Sequence, residues 1–442
     1  MFLWRKKGMS LLLLAGLLVV GACGQSANPN EGAATSSPGT ASPNPLAEPV
    51  ELVVQDLGGG AEETFNALYG DRIRKKFPNV TLKFIQRKEG ATLPDLIAAG
   101  QHVDLVSATI ESIPATLVAT DSQLDMTDLI RKHGIDLSKF EQGTIEGIRR
   151  MGDGQLWFLP VTNVIQVLYY NKGIFDKLGV SYPKDGMTWE EVAELNQKLT
   201  KNSGGVNYMG FSASPTHIFR QNQLSLPLID PKTQKPTFQD ERWQTLIDTY
   251  YKPFATNTYK DWTQAKKAVP YYTEMTATQE LAMMVFNSTF PFDGPQHVAK
   301  IDWDLVSLPV FKDRPKVGTM TSPRVFAVTK MSKHPDMAME VIKYLTSVEA
   351  QMQYSKEGAM TVLNDENVKQ AIGSESPYKD KNWRALYYND LAEMSYKSTY
   401  DSNLLNILTR QIPGIVTGQT DVNTALRLVQ DEAEKYLAAQ KK

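Results

Sequence analysis

Cysteine is almost missing: 442 residues hold one, Cys23. A single thiol forms no internal disulfide and no Cys-x-x-Cys zinc or redox site, so stability must come from packed cores. Histidine is scarce as well. None of His102, His133, His217, His297 and His334 makes a His-x-x-x-His pair, which argues against zinc. Neither sign of charge dominates, since 47 basic against 49 acidic side chains leave a formal −2 and no footprint for nucleic acid. There is no Gly-x-x-x-x-Gly-Lys-Ser/Thr phosphate loop, no Gly-x-Gly-x-x-Gly after a strand and no Gly-x-Ser-x-Gly nucleophile elbow. The triple glycine at 58–60 lacks the lysine and reads as a mobile turn. "MGDGQL" (151–156) lacks the alternating oxygens of a calcium loop and reads as a tight turn. No cofactor is expected. Glycoside hydrolysis needs only two suitably spaced carboxylates, so a hydrolase or lyase stays open as an alternative.

Long hydrophobic runs are missing too. The greasiest stretch, "SLLLLAGLLVV" (10–20), is about a dozen residues, whereas a spanning helix needs about 20. Arg5, Lys6 and Lys7 precede it, and Gly21 and Ala22 follow, which is the pattern of a secretory signal over residues 1–22. Val20-Gly21-Ala22-Cys23 resembles the lipobox of bacterial lipoproteins. The resemblance implies a diacylglycerol on Cys23, cleavage just before it, and a chain anchored by lipid on the extracytoplasmic face of a Gram-positive cell membrane. From Gly24 to Pro49 the chain is polar, rich in Gly, Ser and Pro, and without aromatics. Such a segment cannot bury enough apolar surface to order itself and should act as a tether reaching on the order of 28 Å.

The body predicts alternating strands and helices. "ELVVQ" (51–55), "VTLKFI" (80–85) and "VDLVSAT" (103–109) read as strands. Between the first two, Phe65, Tyr69, Ile73 and Phe77 recur every fourth residue as a helical stripe ending at Pro78. "QVLYYNK" (166–172), "YMGFSA" (208–213), "AMMVF" (282–286), "WDLVSLPV" (303–310) and "RVFAVT" (324–329) are further short apolar runs. Thr188 and Glu191 form a capping-box pair ahead of a helix with Trp189, Val192, Leu195 and Leu199 inward. A last helix buries Val422, Leu426, Val429, Ala433 and Leu437. The alternation implies an α/β fold with mostly parallel sheets, and the length implies two lobes.

"LPDLIAAGQHVDLV" (93–106), "DGQLWFLPVTNVIQVLYYNKGIFDKLGV" (153–180), "ELAMMVFNSTFPF" (280–292) and "VGTMTSPRVFAVTKMSKHPDMAMEVIKYL" (317–345) together resemble the bacterial extracellular solute-binding protein family 1, the maltose-binding-protein-like receptors of ABC sugar importers. The resemblance implies a two-lobed periplasmic-binding-protein fold of class II type with a three-segment hinge near 163–165, 282–286 and 326–329. On that reading 50–163 plus 286–326 form the N-lobe, and 165–283 plus 328–442 form the C-lobe. It further implies a monomer without catalytic role. A carbohydrate closes the lobes upon itself and is handed to the permease subunits of a transporter, or alternatively is reported to a sensor system.

Ligands of open α/β sheets sit beyond the carboxyl ends of the strands. That rule nominates Asp56 after the first strand, and Ser107, Thr109 and Glu111 after the third. Thr162 and Asn163 flank the first hinge, Asn287 and Phe290 follow the second, and Arg324 precedes the third. "SPTHIF" (214–219) matches a family loop of ligand contacts and nominates His217 and Phe219. Ala108 and Thr216 stand where aromatic stacking residues occur in maltodextrin receptors, which argues against that ligand.

Overall fold

The computed structural model describes residues 48–440. The expected signal (1–22), Cys23 and the tether as far as residue 47 lie outside the described residues.

Along the chain, β1 (Val50–Asp56), β2 (Val80–Ile85), β3 (Leu105–Thr109) and β4 (Leu159–Thr162) come first. β1 lies between β2 and β3 and runs parallel to both. Its Leu52, Val53 and Val54 are all buried, because helices cover both faces and leave no polar side to alternate with. The chain then passes into a second sheet made of β5 (Gln166–Asn171), β6 (Met209–Ala213), β7 (Leu281–Asn287) and β8 (Trp303–Ser307). The order there is β8-β5-β7-β6, with only the β6/β7 pair parallel. Finally β9 (Arg324–Val328) returns to the first sheet and inserts antiparallel between β3 and β4, giving β2-β1-β3-β9-β4.

Each sheet has its own hydrophobic core. The first gathers Leu52, Tyr69, Ile148 and Phe326 together with Val341 and Ile342 of the helix Pro335–Leu345. The second is dominated by large aromatic rings: Trp189, Phe211, Phe219, Trp243, Tyr250 and Phe254. The helix Val422–Gln440 closes that core with the five side chains its spacing predicts. The Thr188–Glu191 capping box forms as expected, with Thr188 N–H on Glu191 Oε2 at 2.7 Å and Glu191 N–H on Thr188 Oγ1 at 3.3 Å. The helical stripe from Phe65 buries Phe65, Tyr69 and Ile73, but one widened turn, Asn66–Gly70, interrupts it.

The molecule is thus a two-lobed α/β fold, and strand pairing corrects two expectations. The sheets are mixed rather than mostly parallel, because β9 in the first sheet and β5 in the second each run against both of their neighbours. The expected lobe assignment also changes. Segment 286–326, assigned to the N-lobe, contributes β8 to the second sheet. The helix at 335–345, assigned to the C-lobe, packs in the first core. No crossing occurs near 282–286, since β7 lies wholly within the second sheet between β5 and β6. The chain changes lobe between Thr162 and Gln166, between Met320 and Arg324, and between Leu363 and Ile372. Helices repeating with similar spacing in both lobes make these switches invisible to periodicity.

The first two crossings touch each other, and the segment just before the third joins them. Asn163 N–H donates to Met360 O at 2.9 Å, and Ser322 N–H donates to Val164 O at 2.8 Å. The buried Asn163 amide completes the tie: its Nδ2 donates to Thr361 O at 3.1 Å, and its Oδ1 accepts from Thr321 Oγ1 at 3.0 Å.

Candidate functional site

At the carboxyl end of the first sheet lies a cavity of about 220 Å³ lined by Asp56, Ser107, Thr109, Tyr69, Arg324 and the glycine turn. The strand order explains the grouping, because β1, β3 and β9 are neighbours and each delivers the residue at its cleft end. Asp56 Oδ2 accepts from Ser107 Oγ at 2.7 Å, and its Oδ1 accepts from Gly60 N–H at 2.9 Å. The triple glycine is therefore a built turn rather than a loose one. Gly59 takes φ +81°, and a Cβ at Gly58 would come within 3.1 Å of the Asp56 carboxylate. Gln86 Nε2 pins the turn by donating to Gly59 O at 3.1 Å and to Gly60 O at 3.0 Å.

Arg324 is the charged centre of this cavity. It meets Asp293 Oδ1 at 2.9 Å, and Asp293 belongs to the second lobe through the helix Phe290–Asp293. Arg324 also faces the buried Tyr69 hydroxyl closely enough for its charge to act on it, and Thr162 of β4 lies opposite Arg324 in the strand register. Burial works against the guanidinium charge, but Tyr69 and Asp293 more than offset it and its pKa rises above the ordinary arginine value. Burial raises the Tyr69 pKa, with Arg324 opposing. Asp56, Ser107, Thr109 and Arg324 therefore line one cavity, and Thr162 lies opposite Arg324 on β4.

The second lobe offers a different surface. A cavity of about 560 Å³ is lined by Ser214, Thr216, His217, Lys267, Tyr271 and Arg410, among others. His217 Nδ1 and Ser214 Oγ lie 2.6 Å apart. Burial, with the Arg220 charge adding, pushes the His217 pKa down to about 4, so the ring is neutral at pH 7. Phe286 packs against two of the lining rings, edge-on to His217 at 4.7 Å and to Tyr271 at 5.3 Å. It continues to Phe290 at 5.1 Å, whose helix carries the Asp293 that holds Arg324. An unbroken chain of contacts thus joins the two cavities.

The remaining nominated residues stand elsewhere. The Asn163 amide is consumed by the crossings, as described above. Phe219 is 1 % exposed and packs against Trp243, Tyr250 and Tyr251, so it belongs to the second core. Phe290 is buried too, against Tyr169, Tyr272 and Phe286. Asn287 is half-buried, and its Oδ1 accepts from Gln166 Nε2 at 3.2 Å and Gln221 Nε2 at 3.1 Å. Glu111 turns away from the Asp56 cavity toward the crossing segment, where Ser322 Oγ donates to it at 2.8 Å. Tyr69, Tyr271, Phe286 and Asp293 were not nominated. Tyr69 reads as core from its spacing, and nothing in "FPFD" marks Asp293 as an arginine partner across the lobes. Among the described residues, no group of three or more His, Cys, Asp or Glu is arranged to hold a metal ion, and no helix is long and apolar enough to cross a membrane.

Residues 58–352 match the family model described as bacterial extracellular solute-binding protein. Among solved structures, the chain is similar to a sugar transporter protein from Rhizobium etli in an open conformation. The identity is 22 %, the TM-score 0.67, and 87 % of this chain and 99 % of that chain are covered. It is also similar to the sugar-binding protein MalE of Xanthomonas citri, at 16 % identity and TM-score 0.66, covering 89 % and 98 %. An ABC substrate-binding protein from Listeria monocytogenes, in complex with cycloalternan, matches at 17 % identity and TM-score 0.64, covering 88 % and 99 %.

Proposed function

We infer that this chain, which belongs to the bacterial extracellular solute-binding protein family, captures a carbohydrate between its lobes and presents it to an ABC permease. The observation that carries the carbohydrate reading is the pairing of unlike surfaces. Asp56, Ser107 and Arg324 supply directional donors and acceptors for hydroxyl groups. Tyr271 and neutral His217, backed by Phe286, supply apolar and aromatic area for the C–H face of a sugar ring. The sugar-binding protein from Xanthomonas citri and the ABC substrate-binding protein from Listeria monocytogenes in complex with cycloalternan support the same class of ligand.

The work is differential affinity rather than chemistry: ligand stabilises one lobe arrangement, and the permease reads that population. Lobe movement about the three crossings at 163–165, 321–323 and 364–371 belongs to this proposal. So do the lipid anchor at Cys23, the extracytoplasmic location and the tether.

Native mass spectrometry of the protein as purified, followed by calorimetric titration over a panel of mono- and oligosaccharides and polyols, tests the reading. Saturable binding of one of them without turnover is expected. Absence of binding across the panel, or hydrolysis of a bound sugar, would overturn it.

A further inference from the structure

Asn287 lines neither cavity, yet two other amides hold its side chain in one orientation. It ends β7 and stands opposite Gln166, the first residue of β5, in the strand register, so the two side chains share one face of the sheet. Gln221, just past the helix Pro215–Arg220, completes the group. Gln166 Nε2 and Gln221 Nε2 both donate to Asn287 Oδ1, at 3.2 and 3.1 Å. The two glutamines are 1 % and 2 % exposed. Their backbones are pinned beside the second crossing: Gln166 N–H donates to Thr319 Oγ1 at 3.2 Å, and Met320 N–H donates to Gln221 O at 3.2 Å.

The unused atoms of this group show which way it points. Gln166 Oε1 and Gln221 Oε1 are buried without a hydrogen-bond partner, so each glutamine leaves its acceptor idle while its NH2 serves Asn287. That arrangement is destabilising in itself and calls for a reason. Two donors occupy Oδ1, so the Asn287 amide cannot turn over without breaking both bonds. Its Nδ2 faces the other way: Asn287 is half-buried, and among the described residues Nδ2 donates to no protein group. The open donor lies at the carboxyl end of β7. β6 runs parallel to β7, and its own carboxyl end delivers Ser214 to the second-lobe cavity, so Asn287 stands at the same sheet edge. Phe286, the residue before it, backs the rings of that cavity, and the helix Phe290–Asp293 after it carries the partner of Arg324.

We propose that Asn287 Nδ2 donates a hydrogen bond to an oxygen of the bound sugar, and that Gln166 and Gln221 are positioning residues that keep this donor outward. The proposal rests on the reading that a carbohydrate binds between the lobes. It adds a neutral donor of fixed direction to a site otherwise described by a charged cluster and an aromatic wall. Such a donor discriminates between epimers, because a sugar that turns its oxygen away leaves the amide unpaired.

Two measurements test it, and the first needs no sugar. In the ligand-free protein, solvent-saturation-transfer NMR should show the Asn287 side-chain amide protons exchanging at least about tenfold faster than those of Gln166 and Gln221. Loss of each signal in Asn287→Asp, Gln166→Met and Gln221→Met assigns it. An Asn287 amide as protected as the glutamines would donate inward, which overturns the proposal. The second measurement is calorimetry with whichever member of the saccharide and polyol panel binds the parent most tightly. Asn287→Asp keeps an oxygen for both glutamines but offers no NH2, and should weaken binding roughly tenfold or more. Gln166→Met and Gln221→Met keep the volume without the donor, and should each weaken binding about 3- to 10-fold with Tm within about 3 °C of the parent. Asn287→Asp binding as tightly as the parent overturns the donor. Glutamine variants that lower Tm and leave Kd unchanged overturn the positioning role, because the amides would then serve only the fold. A parent that binds no member of the panel overturns the carbohydrate reading and this contact with it, whereas failure of the contact alone leaves parent binding intact.

Discussion

The two lobes solve the same problem, a polar mouth over an apolar core, with different materials. The first lobe has a small cavity whose side chains are locked by hydrogen bonds: Asp56 by Ser107 and Gly60, and Arg324 by Asp293. The second has a cavity more than twice as large, walled by rings that touch edge to face. Their cores differ in the same sense, with aromatic rings dominating the second. Fixed charges give direction, and rings give area that tolerates more than one orientation. On the proposed function, the first lobe decides which hydroxyl pattern is accepted and the second supplies sequence-tolerant contact.

Arg324 is where that division can be broken most sharply, because it serves both lobes. Arg324→Ala should cost about 2–4 kcal/mol of binding, or on the order of 100-fold in Kd for the retained sugar by titration calorimetry. Most of the loss is that of the charged donors the cavity offers to the sugar, since Tyr69 and Asp293 lose their partner in the free and the bound protein alike. Lysine should not rescue it, since one ammonium cannot reach two acceptors in the way a planar fork does. A variant that binds as tightly as the parent would show that the ion pair is merely structural.

Asp56→Asn tests the first lobe alone. The amide keeps the shape but weakens acceptance from Ser107 and from Gly60 N–H. A loss of about 1.5–3 kcal/mol, or roughly 10- to 100-fold in Kd, is expected from removing one charge-assisted acceptor. A loss confined to sugars with one hydroxyl configuration would sharpen the comparison, and a uniform loss across the panel would weaken it.

How far these sites were legible in the sequence follows from the same contrast. Asp56, Ser107, Thr109 and Arg324 were readable because a strand end is a local feature, and the strands ending there are sheet neighbours. The second-lobe wall was less readable. His217 was nominated from its loop, but Phe219, two residues on, points into the core, because a helix sets residues two apart about 200° from each other and only one of them can face the cavity. Phe286 is brought beside the His217 helix by the β6–β7 pairing, and Tyr271 by the packing of the helix Tyr272–Thr276 on β7, neither of which anything local announces. Lobe assignment failed for a related reason. β8 and β9 are equally short and apolar, and only long-range pairing decides which sheet receives each.

Tyr271→Ala probes the second lobe in isolation. Removing one ring from the wall should cost about 0.5–1.5 kcal/mol, up to roughly tenfold in Kd, with phenylalanine retaining most of the affinity. If the loss matches that of Asp56→Asn and phenylalanine does not rescue it, the tyrosine hydroxyl is a directional contact. The lobes would then be less different than their linings suggest.

The smallest effect concerns the histidine on the aromatic side. His217 is held neutral, with a pKa near 4 against the ordinary 6.5, chiefly by burial. In the unfolded chain the ring binds a proton at the higher value, so its contribution to stability is complete above that value. It is lost progressively as pH falls toward 4. Between about pH 7.5 and pH 5.5 this amounts to about 1 kcal/mol, which corresponds to a fall in Tm of about 1–4 °C. His217→Asn removes the titration and should flatten that part of the profile relative to the parent, whatever its absolute Tm. A parallel profile in calorimetry would mean that the ring already exchanges protons with solvent in the folded protein, and that the second-lobe wall is wetter than its aromatic contacts imply.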